Sequence, residues 1–151
     1  MTDNRGMTGN RAPNDLYETM GLVRIVAVEP EGRAVIEYRA VSAQCHSGGV
    51  VQGGFVSGWI DAAMAHAIIA KTGPDRVPMT LELKVSFFAP ARPGLVTAEA
   101  WVIKAGRSTA FVEGSLTDAA GVLLAKASST LALVDRARVE AASAAAMEAN
   151  A

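Results

Sequence analysis

One carboxylate, Asp61, sits in the middle of GGFVSGWIDAAMAHAIIAK, residues 53 to 71, a stretch otherwise uncharged up to its final lysine. A carboxylate buried without partners is costly, so an acid in this setting needs a structural partner or a chemical task. Its neighbourhood favours the task. Ser57 and Ala65 lie four residues to either side, and Gly58 and Ala62 lie beside it. On a helix these positions share one small-sided face, which leaves room for a ligand or another backbone. Upstream, GGVVQGG puts glycines before and at the start of the same helix, ending in Gln52, Gly53 and Gly54. The first N–H groups of a helix have no internal partner, and its dipole makes that end positive. Glycine lets a ligand approach such a backbone closely. A site of this kind suits an oxyanion or a polarised carbonyl.

The spacing of these two groups carries a further consequence. Eight residues separate Gly53 from Asp61, about 12 Å along a helix axis. One carbonyl cannot touch both. If both act on the same substrate, the acid must come from a second copy of the chain, and a two-fold dimer supplies that arrangement. Other pairings do less. Asp61 and His66 are five residues apart, which on a helix turns them about 140° from each other. His66 is then a core or interface histidine. Cys45 and His46 are neighbours in an extended loop and point apart. Ser57 lacks the G-x-S-x-G elbow, because Phe55 stands at the first glycine position. Two histidines and one cysteine in these places make no zinc spacing.

The elements that must position the acid are legible from periodicity. The helix starts near Gly53 or Gly54 and stops at Lys71-Thr72-Gly73-Pro74, a basic last turn followed by Gly and Pro. Before it, GLVRIVAVEP and RAVIEYRA read as two strands joined by Pro30-Glu31-Gly32, with LYETM as a helical turn ahead of them. After it the period becomes two. In MTLELKVSF, residues Met79, Leu81, Leu83, Val85 and Phe87 alternate with Thr80, Glu82, Lys84 and Ser86, a half-buried strand. LVTAEAWVIK, TAFVEGSLTD and VLLAKASSTLALV follow, separated by turns, as an antiparallel meander. The order is two strands, one long helix and four strands. A helix apolar all round must be covered on all sides. One curved sheet could wrap most of it, and the small residues Val96, Ala98, Ala100 and Val102, with Ala110, Val112 and Gly114 on the next strand, let that sheet bend closely round the helix.

The remainder of the chain excludes several classes. Its 151 residues suit one domain, 16–134, between a polar tail, 1–15, and an alanine-rich tail, 135–151, that is a frayed helix or a loose end. The first tail reads as disordered. A formal net charge of -1 leaves no basic footprint for nucleic acid. A single cysteine, Cys45, allows no internal disulfide and fits a reducing cytoplasm. The start of the chain lacks the apolar core of a signal peptide. The apolar run from Phe55 to Ala70 falls short of the roughly 20 residues of a bilayer span and holds Asp61 and His66, so no membrane partner is expected.

Taken together, HSGGVVQGGFVSGWIDAAMAHA, TLELKVSFFAPARPG and AGRS resemble the hotdog-fold acyl-CoA thioesterases of the phenylacetate-pathway, or PaaI-like, group, over about Leu16 to Val134. The resemblance implies an α+β hotdog fold, one long helix wrapped by a six-stranded antiparallel sheet. It implies homodimers with a continuous sheet, often paired into homotetramers, and hydrolysis of an acyl-CoA thioester without metal or redox cofactor. Carried onto this chain, the catalytic acid is Asp61, as general base on water or as nucleophile. The oxyanion donor is the Gly53 N–H, with Gly54 beside it. His46 stands where relatives have Asn or Gln and would orient the water or the carbonyl. Gln52 replaces the histidine of a frequent HGG. Thr80 corresponds to a Ser or Thr that holds the water, and Arg107 and Ser108 to contacts with the CoA phosphates, which an arginine fork suits. Hydratases of the same fold use an Asp and a His five apart on a loop, which Asp61 and His66 do not match. The reading from another class is a hotdog protein that binds acyl-CoA without turning it over, because fold does not fix function.

Overall fold

The computed structural model describes residues 16–151, so the tail read as disordered lies outside the described residues. The chain runs α1 (Leu16–Met20), β1 (Leu22–Glu29), β2 (Arg33–Ala40), a 3₁₀ turn (Ser42–Gln44), α2 (Gly53–Thr72), β3 (Arg76–Phe87), β4 (Gly94–Ala105), β5 (Thr109–Asp118), β6 (Leu123–Asp135) and α3 (Arg136–Ala149). The six strands form one antiparallel sheet in the order β1-β2-β4-β5-β6-β3. The strand after the helix thus crosses to the far edge, which leaves β1 and β3 as the two edges. This is the α+β hotdog architecture, a long helix laid in the curve of one sheet.

Sequence chemistry sets the ends of α2. Gln52 caps its start, its side-chain oxygen accepting from the Gly54 N–H at 2.7 Å. Gly73, at φ 89°, closes its end and donates its N–H to Ile69 O at 2.9 Å. At 20 residues α2 has the length and composition of a membrane span. Here its apolar side chains meet a sheet instead. Val56, Trp59, Ile60, Ala63, Met64, Ala67 and Ile68 are buried against it. They meet the small row expected from the sequence, with Ala98, Ala100, Ala110 and Val112 all buried. Contact is closest at Gly114, where an added Cβ would come within 2.7 Å of Ile60 Cγ2 and 3.0 Å of the Glu99 carbonyl. Only glycine lets the helix approach that strand so closely.

Two expectations need correction, and one open reading is decided. The sheet covers less of α2 than the expected wrapping of most of it. Ser57, Gly58, Asp61, Ala62, Ala65, His66 and Ile69 remain only half-buried, because one curved sheet wraps about half of a cylinder. The alternation expected through MTLELKVSF breaks at Leu81, where a β-bulge in β3 shifts the register against β6 between Thr80 and Glu82. Leu83 and Val85 pack on the core as expected, but Met79 and Leu81 are 45% and 67% exposed. Phe87 is 54% exposed on the free edge. The alanine-rich tail is helical, and none of its side chains is buried. It forms α3, capped by Asp135 through the Ala137 N–H at 2.9 Å. Arg136 ties its first turn to the Pro74 and Asp75 carbonyls.

Candidate active site

Asp61 lies on the half-open face of α2, and its Oδ1 accepts a hydrogen bond from Thr80 Oγ1 at 2.9 Å. The bulge makes this contact. In an unbroken strand Thr80 would lie on the face opposite Leu83 and Val85. The extra residue, Leu81, reverses the phase and turns Thr80 toward the helix, a common use of a bulge beside a functional group. Ser129 on β6 holds the bulge in place. Its buried hydroxyl donates to the Glu82 carbonyl at 2.7 Å. Asp61 and Thr80 were candidates in the sequence; Ser129 was not. A serine in an alternating strand gives no signal, and only its burial opposite a break in register marks it.

The N-terminus of α2 forms the second group. The Gln52 side chain takes the Gly54 N–H, so Gly54 has no donor to offer a ligand. The Gly53 N–H meets no acceptor among the described residues. The cap also settles which end of the Gln52 amide points where. Its oxygen must face the Gly54 donor, so its NH₂ is left as a donor beside Gly54. Two donors, Gly53 N and Gln52 Nε2, are thus available at the positive end of the helix, as a carbonyl-polarising site requires. A buried strap holds this end. The Gln52 N–H donates to Gln44 O at 2.9 Å. Gln44, 5% exposed, accepts from the Val41 N–H and donates to Thr19 O, each at 3.0 Å. Trp59 Nε1 donates to Met20 O at 2.8 Å, and Trp59 stacks on Tyr38 at 5.8 Å. The short α1 therefore buttresses the helix start. Gln44 was invisible in the sequence, being one polar residue in a polar loop.

The other candidates are placed less centrally. His46 is exposed in a tight loop closed by the Cys45–Val51 bridge. Its Nδ1 accepts from the Gly48 N–H at 3.3 Å, which leaves Nε2–H free in the neutral ring. The loop brings it near Gln52 along the chain, but no hydrogen bond joins it to Gln52 or Asp61. Ser57 donates to Gly53 O at 2.9 Å, and His66 Nδ1 contacts Ala62 O at 2.8 Å, so both are satisfied within the helix. Arg107 and Ser108 form an exposed turn at the end of β4. Arg76 Nη1 donates to Arg107 O at 2.5 Å, and Leu133 N donates to Ser108 O at 2.8 Å. Among the described residues no three His, Cys, Asp or Glu side chains converge on a point.

Direction along the helix matters. β3 runs back beside α2, so Thr80 is level with Asp61, and Phe87 is level with Gly53, its ring 3.3 Å from where a Gly53 Cβ would stand. Arg76 and the Arg107 turn therefore lie at the opposite end from Gly53. The structure joins Asp61 to Thr80 and joins Gln52 to Gly53 and Gly54. Within one chain it does not join these two groups to each other or to Arg107.

A helix-in-sheet fold, a carboxylate in mid-helix and a free amide at the helix start define a hotdog thioesterase scaffold. The thioesterase superfamily model matches residues 48–125, from the glycine loop into β6. The chain is 31% identical to the 1,4-dihydroxy-2-naphthoyl-CoA hydrolase of Listeria monocytogenes over 118 residues, 78% of this chain and 94% of that one. A solved phenylacetic acid degradation-related protein of Ralstonia eutropha JMP134 superposes with a TM-score of 0.72 at 32% identity, covering 80% and 92% of the two chains. The phenylacetic acid degradation protein PaaI of Thermus thermophilus, solved as a point mutant, gives 0.69 at 26% identity, covering 78% and 97%. The chain belongs to the thioesterase superfamily, in its PaaI-like hotdog group.

Proposed function

We propose that the protein is an acyl-CoA thioesterase whose active sites are shared between two copies of the chain. The observation that carries this reading is Asp61, held by Thr80 on the helix face that the chain's own sheet leaves open. β3 supports the second copy. It is a 12-residue edge strand with exposed Met79, Leu81 and Phe87, a ready template for antiparallel pairing. A two-fold axis through that edge continues the sheet and lays a second α2 antiparallel to the first. The half-open stripe is then covered. Each Asp61 moves toward the other chain's helix start, and each Arg107 turn moves to the end where the partner's free Gly53 amide lies. One operation thus brings together three groups that a single chain keeps apart. Further pairing into a homotetramer and a cytoplasmic location complete the proposal.

The chemistry follows from the donors and the acid. The Gly53 N–H and Gln52 Nε2 hydrogen-bond the thioester oxygen and stabilise the negative charge that grows there as the carbonyl becomes tetrahedral. The partner's Asp61, held by Thr80, takes a proton from a water as that water attacks the carbonyl carbon. Collapse of the intermediate expels CoA as the thiolate, which is then protonated, and leaves the free acid. Arg107 and Ser108 bind the CoA phosphates, and His46 orients the carbonyl side of the site. No metal or redox cofactor is used. The test is thiol release from short, medium, long and aryl acyl-CoAs by wild type and Asp61→Asn side by side. Hydrolysis that collapses in the variant supports the reading. Equal rates in both would make Asp61 structural, and binding without turnover would leave an acyl-CoA carrier.

A further inference from the structure

None of the five residues of α1 is buried, yet the interior holds this helix through two of its carbonyls. The last carbonyls of a helix have no partner within it. Here the Thr19 carbonyl accepts from Gln44 Nε2 at 3.0 Å and the Met20 carbonyl from Trp59 Nε1 at 2.8 Å, and both donors belong to buried side chains. The Gln44 amide is fixed in one orientation, because the Val41 N–H needs its oxygen and the Thr19 carbonyl needs its NH₂. Through its backbone Gln44 reaches the site. Its carbonyl accepts from Gln52 N at 2.9 Å, and the Gln52 carbonyl accepts from Phe55 N at 3.0 Å. The Gly53 N–H lies in the rigid peptide plane that follows Gln52, so these two contacts set its direction. His46 stands on the same footing. The loop between Gln44 and Gln52 is closed by the Cys45–Val51 bridge, by His46 N donating to Val50 O and by Gly49 N donating to His46 O, each at 3.0 Å.

We propose that Gln44 is a positioning residue for the reaction: by joining α1 to the base of the His46 loop, its side chain sets the direction of the Gly53 N–H and the seat of that loop. The inference rests on the thioesterase reading. Gln44 touches no reacting atom and acts through the Gln52 backbone. Any residue offers the backbone carbonyl that Gln52 uses, but only a side chain with both a donor and an acceptor satisfies Thr19 O and Val41 N at once. The Gly53 amide meets most of its charge in the transition state, where the thioester oxygen becomes an oxyanion. A misaimed donor therefore lowers kcat while ground-state binding, and with it KM, is kept.

The experiment measures kcat and KM separately, on hexanoyl-CoA and phenylacetyl-CoA, for wild type, Gln44→Glu and Gln44→Met across the pH range in which each stays folded. A carboxylate at position 44 keeps the acceptor for Val41 N but turns an oxygen on the Thr19 carbonyl; protonated, it has the shape of the amide and donates to that carbonyl again. Gln44→Glu is expected to lose about tenfold or more in kcat at high pH, with KM kept within about twofold, and to close on wild type as pH falls. Tyr17 and Glu18 on α1, Tyr38 and Arg39 on β2, and Cys45 and His46 in the loop are the titratable or charged groups on the elements around it. Wild type carries all six, so the ratio of the two proteins isolates position 44. Gln44→Met, of similar volume and without either polar atom, is expected to lose as much at every pH. Folded variants with wild-type kcat and only a lowered Tm would overturn the proposal, as would a loss confined to KM. If neither variant folds, Trp59→Phe, which removes only the tether to Met20 O, carries the test: lower kcat with KM kept supports the proposal, and wild-type kcat overturns it. The Gly53 and Gly54 amide shifts are followed by NMR in the same proteins. If wild type hydrolyses neither thioester but those shifts move with pH in Gln44→Glu beyond their movement in wild type, the strap stands and the hydrolase reading falls; unmoved shifts overturn the strap.

Discussion

The two faces of α2 differ in how they are built. One face, Trp59, Ile60, Ala63, Met64, Ala67 and Ile68, is sealed against the sheet, close enough at Gly114 to admit only glycine. The other, Ser57, Asp61, Ala62, Ala65 and Ile69, is small-sided and half-open, with one hydrogen-bonded acid. The same helix is a core element on one side and, in the proposed mechanism, a functional surface on the other. Substitutions should therefore separate cleanly, with stability on the sealed face and catalysis on the open face.

The largest expected effect is on the open face. Asp61→Asn should lower kcat by about 10²- to 10⁴-fold, the range for loss of a general base, with thermal stability kept. Gly53→Pro should cost about 10²- to 10³-fold in kcat. Gly53 is the first helical residue, where proline is well tolerated, and Gln52 already has the extended backbone that a following proline requires; the exposed Phe87 ring, 3.3 Å from the new Cβ, must shift by a few tenths of an ångström to admit it. On the sealed face, Trp59→Ala should cost about 3–5 kcal/mol of unfolding free energy, read by chemical denaturation, through lost packing and a freed Met20 carbonyl. Ser129→Ala should cost about 1–2 kcal/mol, and should also lower kcat by loosening the bulge that aims Thr80. If Ser129→Ala moved stability alone, the bulge would be structural and the division of the faces would hold without it.

Much of this was legible in the sequence because its signals are local. The helix bounds follow from Gly53 and Gly54 and from Lys71, Gly73 and Pro74, the strands from period two, and the sheet's small row from Ala98, Ala100, Ala110 and Gly114. Asp61, Gly53 and Thr80 stand out by chemistry in an apolar setting. What was hidden depends on three-dimensional pairing. The Leu81 bulge is an offset between β3 and β6, which alternation within one strand does not carry. Ser129 and Gln44 act through backbone carbonyls, which any sequence offers everywhere. The half-open face of α2 reflects how far six strands can curve. The position of Arg107 far from Gly53 follows from β3 running back along the helix.

The central claim is that each site takes its amide from one chain and its acid from the other. Complementation tests it most directly. Purified Asp61→Asn and Gly53→Pro homodimers, each inactive, are mixed, unfolded and refolded together, and thiol release is measured beside a count of hybrid dimers by native mass spectrometry. A hybrid dimer holds one intact site and one doubly defective site, so random pairing should restore about a quarter of wild-type activity. Hybrids that form and remain inactive would place Gly53 and Asp61 in the same chain's site and contradict the account.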